Sequence, residues 1–111
     1  MTKNKYYIAI DLGAESGRVI VGNLDNNKLT LEEIHRFPTK QITENDTIYW
    51  DINFIYTQIK KGIKKSSSLG YNSPNGIGID SWAVDFGLLD KNDELIELPI
   101  AYRDKRTDGM M

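Results

Sequence analysis

Two short stretches of this sequence carry most of its chemical potential. In Asp11-Leu12-Gly13-Ala14-Glu15-Ser16-Gly17-Arg18, two glycines allow close approach of backbone N–H groups to an anion such as phosphate. Ser16 adds a hydroxyl donor and Arg18 a permanent positive charge. Asp11 offers the hard oxygen ligand that Mg²⁺ prefers. A plain hairpin turn whose glycines serve geometry alone fits the same spacing, and Glu15 repels phosphate unless it faces solvent. The second stretch, Gly78-Ile79-Asp80-Ser81-Trp82-Ala83-Val84-Asp85-Phe86, alternates carboxylates and an aromatic with apolar positions. Carboxylates that accept hydroxyl hydrogen bonds beside a flat indole suit a polyol. The competing reading makes Trp82 a core residue and the aspartates turn caps.

The flanking patterns say what positions these residues. Residues 6–10 form a nearly continuous apolar run ending in Asp-Leu-Gly, as expected of a central strand. Residues 18–24 form a second strand, Asp25-Asn26-Asn27-Lys28 a tight turn, and residues 29–37 a third strand ended by Pro38. In that third strand Leu29 and Leu31 alternate with polar neighbours. Residues 39–49 read as a polar loop. Ile52, Ile55, Tyr56, Ile59 and Ile63 then recur at helical spacing, which predicts a helix over residues 51–68 with Asp51 as N-cap and Gly70 just past its end. Lysines 60, 61, 64 and 65 read as its solvated C-terminal half. Residues 76–80 form a fourth strand, and residues 84–89 and 95–101 a further hairpin. His35, the single histidine, is assigned to a surface strand position, and the cluster Tyr102-Arg103-Asp104-Lys105-Arg106-Thr107-Asp108 to a solvated loop that could also close over a polar ligand.

Three antiparallel strands, a crossover helix and a fourth strand parallel to the first make the opening of a ribonuclease-H-like, actin-like ATPase fold, an α/β class with a mixed sheet. That topology sets Asp11 and Asp80 side by side at the C-terminal ends of neighbouring strands, where open α/β sheets bind ligands.

Composition narrows the partners. The 111 residues, 40% hydrophobic and 27% charged, are enough for one domain with a core. A net charge of −2 gives no footprint for nucleic acid or an anionic membrane, so small molecules are the expected partners. There is no cysteine for a disulfide or thiolate metal site, and Asp11 interrupts the first apolar run before a signal sequence or span is complete. The expected location is cytoplasmic.

The segments AIDLGAESGRVIVG, EIHRFP, YWDI, GIDSWAVDFGLLD and LPIAYRDKRTDGMM, in this order, resemble the N-terminal part of the FGGY carbohydrate kinases that act on L-rhamnulose. The resemblance implies two ribonuclease-H-like domains with the active site between them. It also implies transfer of the ATP γ-phosphate to O1 of L-rhamnulose, with Mg²⁺. On it, Gly13, Ala14, Glu15, Ser16, Gly17 and Arg18 bind ATP phosphates and Asp11 is associated with the metal. Asp80, Trp82, Ala83, Asp85 and Arg103 stand on the substrate side. Ala83 departs from the usual glycine, which matters if that position needs positive φ. The catalytic base and adenosine site are expected downstream, so residues 1–111 are read as a partial N-terminal domain, inactive alone and prone to self-association through open sheet edges. Other readings are a kinase for another ketose such as L-fuculose, a two-metal nuclease using Asp11 and Asp80, and an actin- or chaperone-like nucleotide-binding module.

Overall fold

Alternating apolar residues on the first two strands decide where the core forms. The computed structural model describes residues 5–102 and 104. Strand β1 (Lys5–Leu12) pairs antiparallel with β2 (Ser16–Asp25), so that Ile8 faces Val21 and Ile10 faces Val19 on one side of the sheet. These four are essentially buried and form the core with Ile34, Phe37 and Ile55. Strand β3 (Lys28–Pro38) pairs with β2, and β6 (Gly76–Ser81) runs parallel to β1, giving the order β3-β2-β1-β6 expected from the sequence. The turn between β2 and β3 has Asn26 and Asn27 both at positive φ, as a twisted two-residue hairpin requires.

Helix α1 (Ile52–Ser68) covers β2 and β3. Its N-cap is Asp51, whose side chain accepts from the Phe54 N–H. Its end is a Schellman closure: Gly70 at φ 104 donates to the Ser67 carbonyl and Tyr71 to that of Ser66. Of the expected stripe, Ile55 is in the core and Ile59 and Ile63 pack against it, so the departure is confined to Tyr56 and to two small residues that join the buried face. Ile55, Gly62 and Ser66 are buried, whereas Tyr56 is exposed. Gly62 lets the helix sit directly on Val19, since a Cβ there would lie 2.4 Å from a Val19 methyl.

Four other expectations are corrected. Residues 39–49 are not a loop: β4 (Gln41–Glu44) and β5 (Thr47–Trp50) form a hairpin turned at Asn45 and Asp46, again at positive φ. Leu29 and Leu31 are 60% and 68% exposed on the face away from the core. A bulge shifts the β2–β3 register between Val19 and Ile20, with Ile34 as the additional residue, and the core side chains of β3 are Ile34 and Phe37. Residues 84–89 and 95–101 form no regular hairpin. They share a single bridge, Leu89 with Leu95, because the Asp90 side chain takes the Asn92 and Glu94 N–H groups into a local turn. His35 lies at the seam between β3 and α1, half-buried, with Nε2 2.8 Å from Gln58 Oε1.

Candidate active site

The fold delivers Asp11 and Asp80 as register partners on the adjacent parallel strands β1 and β6. Both point to the sheet face opposite the core, in an open depression of about 380 Å³ lined by Ala9, Ile10, Asp11, Gly78, Ile79 and Asp80. Across β1 on its other side, Asp11 is the ladder partner of Arg18, and the two side chains form an ion pair. The hydrogen bond from the guanidinium to the Asp11 carboxylate, and then that charge itself, hold the Arg18 pKa above its ordinary value. The residue assigned to phosphate and the residue assigned to metal thus neutralise one another here. Both remain 38% exposed at the side chain, so an incoming ligand can reach them.

The turn between β1 and β2 is built by close packing. Gly13 donates its N–H to the Ser16 carbonyl at 2.9 Å. Neither Gly13 nor Gly17 adopts positive φ, so the left-handed alternation of an anion nest is absent from these two glycines. Gly17 has no room for a side chain, because its Cβ would fall 2.5 Å from the Phe37 ring. Glu15 is exposed, and its carbonyl accepts the Thr39 N–H at 3.1 Å, tying the turn to the chain after β3. The Thr39 hydroxyl beside it is buried without a hydrogen-bond partner.

On the other side of the β6 exit lies a second hollow of about 150 Å³, lined by Ser81, Trp82, Asp85, Phe86 and Pro99 together with Trp50. Trp82 is half-buried and rests on the hydrophobic core. Its ring packs against that of Trp50, with centroids 4.4 Å apart and the planes tilted by 43°. A single oxygen, Oδ2 of Asp85, accepts both indole N–H groups, at 2.6 Å from Trp50 and 2.7 Å from Trp82. The chain reaches this geometry through Val84, a β-branched residue at φ 70, a conformation that costs about 1–3 kcal/mol and persists only where the surroundings impose it. Ala83 is exposed and has no positive φ, so its methyl group meets no backbone penalty.

Trp50 went unremarked as a site residue, although it and Trp82 are the two tryptophans in the chain. Asp104 departs from the solvated-loop expectation: it is 6% exposed and accepts the Ile48 N–H at 2.7 Å, anchoring β5. Arg103 and residues 105–108 lie outside the described residues. Among the described residues no cluster of three or more metal-binding side chains occurs, and no helix is long and apolar enough to cross a membrane.

Residues 6–111 match the N-terminal domain of the FGGY family of carbohydrate kinases. The chain belongs to the FGGY family. Among curated FGGY relatives, it is 55% identical over 104 residues to a rhamnulokinase from Oceanobacillus iheyensis, covering 94% of this chain and 22% of that protein. It is 47% identical over 106 residues to a rhamnulokinase from Halalkalibacterium halodurans, covering 96% and 22%. This chain therefore spans about a fifth of the length of those FGGY relatives. Among solved structures, gluconate kinase from Lactobacillus acidophilus superposes with a TM-score of 0.73 at 20% identity, over 93% of this chain and 20% of that one. A xylulose kinase from the same organism gives 0.70 at 21% identity, over 91% and 20%. These two likenesses establish the actin-like ATPase fold of the FGGY domain.

Proposed function

We propose that this chain is the N-terminal part of a cytoplasmic kinase that transfers the γ-phosphoryl group of ATP to O1 of L-rhamnulose, with Mg²⁺. The observation that carries this reading is the pairing of Asp11 with Asp80 at the C-terminal ends of β1 and β6, directly beside the turn that joins β1 to β2. The choice of sugar rests on the two rhamnulokinase relatives.

The donor set suits a hard divalent cation: Mg²⁺ is held through one or two carboxylates, with waters and phosphate oxygens completing its shell. Asp11 would hold it, with Asp80 as the neighbouring carboxylate, and when bound it neutralises charge on the phosphate oxygens. Arg18, released from Asp11, would turn its charge to the phosphates, and Gly13, Ala14, Glu15, Ser16 and Gly17 would shape their seat. Asp80, Trp82, Ala83 and Arg103 are assigned to the sugar side, and Asp85 stands with them through Trp82, whose indole N–H it accepts. The base that takes the proton from the attacking hydroxyl is assigned to the length of the relatives that this chain does not span.

On this reading residues 1–111 have no sugar kinase activity by themselves. They also self-associate, since Ile77 and Ile79 on edge strand β6 are 54% and 66% exposed. ADP release by the complete kinase should depend saturably on L-rhamnulose and fall with L-fuculose in its place. Equal turnover of the two ketoses would defeat the assignment of substrate.

A further inference from the structure

We infer that Trp50, Trp82 and Asp85 form one unit in which Trp50 and Asp85 are positioning residues: they lock the Trp82 indole as the wall of the sugar site without themselves binding sugar. Three observations converge on this. Trp50 is 1% exposed, so although its ring backs the hollow it offers a sugar almost no surface. Its N–H is nevertheless directed not to a core carbonyl but to Asp85 Oδ2, the atom that also accepts the Trp82 N–H. The packing of the two rings at 4.4 Å, tilted by 43°, then restrains the Trp82 ring, while the left-handed Val84 folds the chain back so that residues 82 and 85 meet. An aromatic wall recognises a sugar by its orientation, and a side chain held by a ring contact and a shared acceptor loses less freedom on binding.

The arrangement also assigns the two ends of the unit to different elements. Trp50 closes β5 immediately before the Asp51 cap of α1, whereas Trp82 follows β6. Asp85 therefore couples the β4–β5 hairpin to the exit of the strand that carries Asp80.

This inference rests on the sugar kinase reading, and the experiment separates the two. Sugar and ATP kinetics are measured on the complete kinase and on Trp50→Phe, Asp85→Ala and Asp85→Asn. Trp50→Phe keeps a ring but removes the N–H, and Asp85→Asn keeps an oxygen that can accept both indoles. Losing a part-buried hydrogen bond to a carboxylate should raise the KM for sugar about tenfold in Trp50→Phe and Asp85→Ala, with the KM for ATP within about twofold. Asp85→Asn should restore the sugar KM to within about threefold of the parent. An unchanged sugar KM in both Trp50→Phe and Asp85→Ala overturns the inference. So does a loss in Asp85→Asn as large as in Asp85→Ala. If the parent enzyme phosphorylates no sugar, it is the kinase reading that fails.

Discussion

Asp11 has two claimants, the Arg18 guanidinium and the proposed metal ion. Replacing Asp11 by Asn in the complete kinase should lower kcat about 10²-fold, the scale seen when one charge-stabilising group is removed. Because the pair is 38% exposed on each side, water screens it and the thermal midpoint should barely move. An equal loss of activity and fold would show a structural role instead. The Arg18 pKa is raised in the folded chain, so its contribution is complete below the ordinary arginine value and lost only as pH climbs through the higher folded one. Activity between pH 6 and pH 9 should therefore carry no step from Arg18, and the profile of Arg18→Lys, also cationic there, should keep the parent's shape. Asp11 and Asp80 were legible in the sequence because a carboxylate ending an apolar run marks a strand exit. The work of Asp85 was not, because its partner Trp50 is 35 residues away and nothing in the local spacing couples them.

At the scale of elements, helix and sheet meet through glycine. Alanine in place of glycine within a helix ordinarily stabilises, yet at Gly62 the new methyl would sit 2.4 Å from Val19 Cγ2. Gly62→Ala should thus destabilise by about 1–3 kcal/mol, as overpacking does, and Val19→Ala in the same chain should recover part of it. Denaturant melts of the single and double variants check this, and a stabilised Gly62→Ala would refute the close contact. Gly17→Ala, against the Phe37 ring, should cost a similar amount of about 1–3 kcal/mol. The sequence showed the meander, the helix and the parallel return because each has strong periodicity. It concealed the β4–β5 hairpin, whose strands are four residues each and mostly polar on their outer positions. The signal there was the pair Asn45-Asp46, which tolerates positive φ as Asn26-Asn27 does one hairpin earlier. Alternation at Leu29 and Leu31 misled because a single added residue at the bulge changes which side chains of β3 reach the core.

For the whole molecule, the sheet is covered by α1 over β2 and β3, while Leu29, Leu31, Ile77 and Ile79 stay exposed. A polypeptide of residues 1–111 should accordingly sediment as concentration-dependent oligomers, and a strictly monomeric profile would count against self-association. The central claim is that Asp11, Asp80 and the intervening turn belong to an ATP-dependent sugar kinase. It is tested most directly by ADP release from the complete kinase with Mg²⁺ and ATP, titrated with L-rhamnulose. The account predicts turnover that is negligible without sugar, saturates with it and collapses in Asp11→Asn. Sugar-independent ATP hydrolysis, or none with any ketose, would contradict it.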